Sequence, residues 1–264
     1  MNPCKLRITP HTLELQPGGK IIADGTTILV LAILFFATFI RSAFGFGEAL
    51  VAVPLLALIM PVNVAAPVAV LVSITVAAVI IAQDWRNIHF RSAWWLVVST
   101  LFGTPLGLLL LTAAAERVVK GLLAAVIILF SAYSLIQRKR IELKNDRYAW
   151  IFGFIAGILG GAYGMNGPPL VIYGTLRGWT PQQFRATLQG YFLPASLMVI
   201  GGYWLTGLWV WPVSRYYLLA LPAVIVAIFL GRVANRRMGR RAFIRLVHAG
   251  LIVIGLTLLV QSFS

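Results

Sequence analysis

Charged side chains are scarce in this chain: Asp, Glu, Lys and Arg make up only 11% of its 264 residues. A soluble domain carries about 25% of such residues. Apolar residues reach 60%, and the mean hydropathy is +0.90. A soluble core of this size could not enclose so much apolar surface, so lipid must cover much of it. The composition therefore excludes an ordinary soluble protein and indicates an all-α polytopic membrane protein.

Cysteine and histidine are almost absent as well. Cys4 is the single cysteine, which excludes an intramolecular disulfide and a cysteine-ligated metal cluster. The histidines His11, His89 and His248 lie far apart, so we expect neither a metal site nor a cofactor. The sequence has no grouping of nucleophile, histidine and acid and no phosphate-binding loop, so we expect no enzyme and no catalytic residue.

Acidic residues number only seven against 22 Lys and Arg, which gives a net charge of +15. Such a balance is typical of nucleic-acid binding, but 11 of the basic residues fall in two stretches between apolar runs, 138–147 and 232–245. Basic loops at span ends stay cytoplasmic and lie near lipid headgroups. We therefore expect the lipid bilayer, and not nucleic acid, as the partner of these residues.

Ten apolar segments follow a short extramembrane leader at 1–25, which has no signal-peptide pattern. Two of the segments are too short to cross about 30 Å of hydrocarbon, and we predict 8–10 membrane segments with these two as short or re-entrant half-helices. The segments are 26–43, 48–60, 62–83, 93–112, 119–137, 149–164, 167–176, 184–206, 213–231 and 246–262.

The basic loops also predict the topology. With 138–148 and 232–245 in the cytoplasm, 84–92 and 177–184 lie inside, and 113–118 and 207–212 lie outside. Both termini then lie outside. The expected location is the bacterial inner membrane, crossed several times.

An internal repeat emerges when the chain is shifted by 119 residues, which places Phe44-Gly45 on Tyr163-Gly164. It predicts a first membrane repeat at 26–137 and a second at 149–264, joined by the basic loop 138–148. Each repeat has an odd number of crossings, so the two are inverted relative to each other. Inverted-topology repeats are typical of transporters whose site lies near the membrane midplane.

Each repeat contains a glycine-rich break with proline: the first is 41–48, followed by Pro54, and the second is 157–169, which ends in Pro168-Pro169. Glycine lets the backbone leave the helix, and the helix that starts there directs unpaired N–H groups and a partial positive charge at an anion. The alternative is that glycine and proline only permit close packing and kinks. The residues predicted to bind the substrate are Arg41, Gly45, Phe46, Gly47, Glu48, Gly164, Met165, Asn166, Gly167, Pro168 and Arg185.

Arg41 and Glu48 are ionisable residues inside a span, which is costly and points to function. Arg41 could bind an oxyanion through two hydrogen bonds, and Glu48 could carry a coupling proton. The alternatives are that they neutralise each other or that Arg41 reaches the interface. Asn166 is the uncharged counterpart or a helix cap, and Arg185 is a ligand or a cytoplasmic anchor. Further polar residues lie on the long helix after each break: Asn63, Ser73, Thr75, Gln83, Asp84, Gln182, Gln183, Thr187 and Gln189.

At these two breaks the chain resembles the sulfite exporter TauE/SafE family, also called the 4-toluene sulfonate uptake permease family. The resemblance rests on 44–47 with Pro54, on 160–169 and on 179–187, and it extends over about 27–262. Glu48 stands where that family typically has glycine. The resemblance implies a secondary transporter of sulfite, organosulfonates or related sulfur oxyanions, with proton coupling as one way to drive it.

The leading hypothesis is alternating access around a midplane site. Two alternatives stay open: a channel for anions or neutral solutes, and a membrane scaffold that transports nothing. The expected partners are a small anionic substrate, the lipid bilayer and, if the chain self-associates, a second copy in a homodimer.

Overall fold

The computed structural model describes residues 25–84, 89–136, 143, 145–235 and 240–263. Within these ranges the chain is helical and contains no strand, which confirms the all-α prediction. The predicted leader lies outside the described residues up to Gly25, where the first helix begins, and so does most of the basic loop. The helices are α1 Gly25–Phe44, α2 Glu48–Ala57, α3 Val62–Asp84, α4 Phe90–Ala113, α5 Glu116–Ile136, α6 Ala149–Tyr163, α7 Gly167–Leu176, α8 Pro181–Leu205, α9 Trp211–Asn235 and α10 Arg240–Phe263, with a 3-10 turn at Asp146–Tyr148.

Five of these helices are long and apolar enough to cross a membrane by length and composition: α1, α3, α4, α5 and α9. Helices α2 and α7 have only 10 residues each, or about 15 Å of helix. Helix α8 has 25 residues, but it carries Gln182, Gln183, Arg185 and Gln189 and is therefore less apolar. Every predicted apolar segment contains a helix, and the two predicted to be short are short.

Glycine backbone conformations produce the two breaks. Helix α1 ends at Phe44, and Gly45 and Gly47 then adopt φ angles of +88° and +101°. Helix α6 ends at Tyr163, and Gly164 has φ +66°. Side-chain-bearing residues rarely adopt these angles, so glycine lets the chain turn and start a new helix within three residues.

Helix packing follows one pattern in both halves of the chain. Helix α4 packs on α6 and helix α1 packs on α9, while α3 packs on α8 and α5 on α10. Helix α4 also contacts α8, as α9 contacts α3. Exchanging α1 with α6, α3 with α8, α4 with α9 and α5 with α10 therefore leaves these six pairs unchanged.

Glycines allow the backbones of α4 and α6 to touch. A Cβ added at Gly103 or Gly107 would lie 2.1 Å from a backbone oxygen of α6, and one at Gly157 or Gly161 would lie within 2.5 Å of a backbone oxygen of α4. No side chain fits at such distances. The four glycines therefore let the backbones of α4 and α6 pack directly against each other.

The contact of α9 with α1 repeats that of α4 with α6. Gly107 of α4 and Gly231 of α9 each pack on a backbone oxygen and on the nitrogen four residues later. The contacted atoms belong to Ile158 and Ala162 in α6 and to Phe39 and Ala43 in α1. Each of these α6 residues lies 119 positions after its α1 counterpart, the same shift that aligns the two breaks.

The surroundings of the breaks keep the same register. Gly45 packs on Arg185, with an added Cβ 3.1 Å from its Cγ, and Gly164 packs on Ala66, with an added Cβ 3.2 Å from its carbonyl oxygen. Gly164 follows Gly45 by 119 positions, and Arg185 follows Ala66 by 119. The break of each half therefore rests on the same position of the long helix in the other half.

Asp146 joins three loops at one end of the helices. Its Oδ1 accepts hydrogen bonds from Ser92 Oγ at 2.9 Å and from the Tyr173 hydroxyl at 3.0 Å, and it lies 3.0 Å from Arg177 Nη2. Burial alone would raise the pKa of Asp146, but the two hydrogen bonds and the Arg177 charge outweigh it and hold that pKa below its usual range. Three of the four loops predicted to share the cytoplasmic side thus lie together, and the side itself stays a prediction.

Candidate functional site

A small cavity lies where the two breaks meet, and both halves of the chain line it. Its volume is about 20 Å³, enough for one water-sized molecule. Eight of the predicted site residues line it: Arg41, Gly47, Glu48, Gly164, Met165, Asn166, Gly167 and Pro168. The structure therefore brings together residues more than 100 positions apart in the sequence, as the repeat predicted. Their role in binding stays a prediction.

Arg41 is the charged centre of this site. Its side chain is only 3% exposed, and its Nη1 donates to a carboxylate oxygen of Glu48, itself 2% exposed. Nη1 also donates to Ser73 Oγ at 2.7 Å. Nη2 and Nε donate to Gln189 Oε1 at 2.7 and 3.3 Å. The Arg41 Cζ lies 4.8 Å from the centre of the Phe192 ring, so the cation also rests on an aromatic face.

Glu48 is the first residue of α2, where the positive end of the helix dipole favours a carboxylate. One of its oxygens takes the Arg41 hydrogen bond. The other, Oε1, is buried and has no hydrogen-bond partner among the described residues. A buried acceptor with no partner is costly, so this oxygen marks a place where a proton or a donor from a bound molecule would be stabilising.

Asn166 contributes from the second break through a chain of hydrogen bonds. Its Nδ2 donates to the Tyr191 hydroxyl at 3.3 Å, and that hydroxyl lies 2.6 Å from Thr100 Oγ1. Thr100 has one proton, which it gives to the carbonyl oxygen of Gly153 or Leu96. Tyr191 must therefore donate to Thr100 and accept from Asn166. The chain fixes the Asn166 amide at the wall of the cavity.

Three predicted site residues do not line the cavity. The carbonyl oxygen of Gly45 accepts from Gln189 Nε2 at 2.8 Å. The Phe46 ring packs edge-on against Phe184, 6.0 Å between centres. The side chain of half-buried Arg185 runs beside Gly45. These residues surround the first break, and a direct contact between any of them and a substrate stays a prediction.

Sequence reasoning left four neighbours out of the predicted site. Ser73 and Gln189 had a signal, because each is a polar residue within a long apolar helix. Phe192 and Tyr191 had none, because aromatic residues are common in the core of any helical membrane protein. Only the folded structure, in which side chains of α8 reach the two breaks, shows that Phe192 contacts Arg41 and that Tyr191 contacts Asn166.

Comparison with known proteins supports the resemblance at the breaks. The family model described as "Sulfite exporter TauE/SafE" matches residues 30–258. The chain belongs to this family. The match includes both breaks, every lining residue of the cavity and the helices α3 and α8 that pack beside it. Because the family is one of membrane exporters, the chain is a multi-pass bacterial membrane protein of a transporter family.

A curated relative agrees with this assignment. The chain is 23% identical over 240 residues, which is 88% of this chain and 93% of the relative, to a protein of Cupriavidus necator named "Probable sulfite/organosulfonate exporter TauE". No solved structure matches the chain.

Proposed function

We propose that this protein is a secondary transporter of small sulfur oxyanions, with sulfite and organosulfonates as the leading substrates. The observation that carries the proposal is the buried Arg41, held with Glu48 at the cavity where the two breaks meet. An ionisable pair buried in an apolar membrane protein is costly, so its presence supports a role in substrate binding. The name of the relative supplies the sulfur chemistry, which the cavity alone would not have named.

The breaks and Arg41 together offer the donors that an oxyanion requires. The guanidinium can bind two oxygens of one anion. The first N–H groups of α2 have no partner within the helix and point at the break. Helix α7 contributes fewer, since Pro168 and Pro169 follow its first residue and carry no N–H. Binding is therefore centred on the first break, with Asn166 closing the site from the second.

Glu48 gives the site a way to couple transport to protons. While it is ionised, it neutralises Arg41 and occupies the Nη1 donor that an incoming anion needs. When Glu48 takes up a proton, the pair becomes a net positive charge and an anion can replace the carboxylate. One proton would then travel with each negative charge bound. The Oε1 atom of Glu48, which has no hydrogen-bond partner in the part of the chain that the structure describes, is the atom that would receive this proton.

Alternating access is supported by the directions of the helices. Helix α3 begins at Val62, which lines a cavity together with Leu111 and Thr112 at the end of α4. Helix α8 begins near the start of α4, because the His89 backbone N–H donates to Thr187 Oγ1 at 3.0 Å. The two long helices therefore run in opposite directions, as inverted repeats require. The cavity must widen to admit an anion, and movement of one repeat against the other would open it.

Uptake into liposomes tests this proposal. Purified protein would be reconstituted, and sulfite, sulfoacetate, taurine and chloride offered from outside while a pH-sensitive dye reports proton movement. We expect saturable uptake of a sulfur oxyanion together with proton flux, and little uptake of chloride. Flux that does not saturate and moves no protons would instead indicate a channel. No response to any anion would overturn the proposal.

A further inference from the structure

We propose that Gln189 is a positioning residue for Arg41. It orients the guanidinium so that Nη1 faces the cavity, and because it is uncharged it leaves the positive charge of Arg41 to Glu48 or to the transported anion. This inference rests on the proposed function. It assigns a role to a residue of the second repeat that acts on the charged group of the first.

The hydrogen bonds fix the orientation of the Gln189 amide. Arginine can only donate, so the oxygen of the amide must face Nε and Nη2 of Arg41. The carbonyl of Gly45 can only accept, so the Gln189 nitrogen must face it, at 2.8 Å. A flipped amide would place its NH2 group against Nε and Nη2 of Arg41, donor against donor, and its oxygen against the Gly45 carbonyl, acceptor against acceptor. Gln189 therefore holds Arg41 and the backbone of the first break at the same time.

The same bonds decide which edge of the guanidinium is left for a substrate. Gln189 takes the edge formed by Nε and Nη2. Nη1, which donates to Glu48 and Ser73, is directed at residues that line the cavity. An entering oxyanion therefore meets Nη1 first and competes with Glu48 for it. With Gln189 absent, the guanidinium could rotate and offer a different edge.

The two repeats differ at this position in a way that supports the assignment. The residue of α3 that corresponds to Gln189 is Val70, 119 positions earlier, and it packs on Gly164 as Gln189 bonds to Gly45. The residue that corresponds to Arg41 is Gly160. At the second break, therefore, neither the arginine nor the glutamine has a polar counterpart. The polar side chain therefore accompanies Arg41 and is not a requirement of the shared fold.

The charge of the residue at 189 is decisive. An ionised carboxylate there would face Arg41 as a second counterion, and with Glu48 also ionised the site would hold two negative groups against one positive group. That arrangement repels an incoming anion. A protonated carboxyl, however, has the shape and bonds of the amide: its carbonyl oxygen accepts from Arg41, and its hydroxyl donates to Gly45. Glu at 189 should therefore fail when ionised and succeed when protonated.

Uptake of ethanesulfonate by Gln189→Glu tests this. A sulfonate keeps its single charge at all relevant pH values, so a change with pH reports on the protein. The matched control is Gln182→Glu, the same chemical change at an exposed position of α8. We expect the KM of Gln189→Glu to exceed that of wild type by about tenfold or more near pH 8, which is about 1.4 kcal/mol of binding. As the pH is lowered through the ordinary glutamate pKa, to about pH 4 and below, the ratio should fall towards one because the carboxyl at 189 takes up a proton, while Gln182→Glu follows wild type throughout.

The outcomes separate the possibilities. A KM of Gln189→Glu equal to that of wild type near pH 8 would overturn the positioning role, as would an increase that stays the same at low pH. The second result, together with a lowered melting temperature, would mean that Gln189 only supports the fold. A wild-type protein that takes up no anion overturns the proposed function, and this inference with it.

Discussion

Arg41 and Glu48 stand seven positions apart, on either side of the first glycine break, and form a buried ion pair. In an unbroken helix the same spacing would separate their backbones by about 10 Å along the axis. The turn at Gly45 and Gly47 returns the start of α2 towards the end of α1 and so closes the gap. The glycines therefore create the charged site and do not merely accompany it.

Removing Arg41 alone should destabilise the protein strongly. Arg41→Ala leaves Glu48 buried without its partner, which typically costs about 3–5 kcal/mol. Thermal unfolding of purified protein in detergent, followed by tryptophan fluorescence, measures the effect. The double variant Arg41→Gln/Glu48→Gln carries no buried charge and should recover most of the loss. A double variant as unstable as Arg41→Ala would show that the ion pair is not the cause.

Glu48→Gln should uncouple anion binding from proton uptake. The variant keeps the size of the side chain but leaves the charge of Arg41 uncompensated, so anion affinity near neutral pH should rise by about tenfold or more. The rise in anion affinity that we expect for wild type on acidification should also be absent in the variant, as measured by titration calorimetry. Proton flux in liposomes should disappear. An unchanged pH profile would contradict the role of Glu48 as the proton carrier.

Substitution at the contact between α4 and α6 should unfold the protein or prevent its insertion. At Gly157, any Cβ would lie 2.5 Å from the Thr100 carbonyl oxygen, so Gly157→Val forces the helices apart. We expect a loss of stability on the order of 3 kcal/mol or more from this overpacking. Gly201→Ala is the control, since a Cβ there meets nothing within 4 Å. Melting temperatures of the two variants that fell equally would argue against this close contact.

Asp146→Asn should weaken the link between the three loops at one end of the helices. Because the pKa of Asp146 is lowered in the folded state, its contribution to stability is present above its unfolded value of about 3.9 and is lost as the pH falls through the folded value. Wild type should therefore melt above Asp146→Asn at neutral pH, and the difference should shrink below about pH 4. A difference that does not depend on pH would indicate that the charge of Asp146 is not involved.

The sequence alone predicted where the helices lie, and it singled out Arg41 and Glu48, the charged residues of the candidate site. Apolar runs located every helix, because lipid exposure leaves long uninterrupted patterns. Observed helix boundaries differ from the predicted ones where a capping motif sets the first residue. Helix α8 begins at Pro181 and not at 184, because Thr180 and Gln183 form a capping box at its start. Arg41 and Glu48 stood out because a charge in an apolar run is rare.

The uncharged residues of the candidate site, Gln189 and Phe192, could not be predicted in the same way. Gln189 reaches Arg41 across 148 positions, and the two residues meet only when the chain folds and brings α8 to the first break. Phe192 lines the cavity, yet an aromatic residue in an apolar helix carries no sign of its neighbours. The repeat supplied the missing information in part, since the shift of 119 residues places Gly164 and Gly45 in matching surroundings.

Saturable uptake of sulfite by liposomes that contain the Arg41→Gln/Glu48→Gln variant tests the central claim most directly. The variant has no buried charge, so its folded state can be verified by its melting temperature before transport is measured. If the anion binds at Arg41 between the two breaks, wild type takes up sulfite and the folded double variant does not. Uptake by the double variant with the KM of wild type would contradict the account.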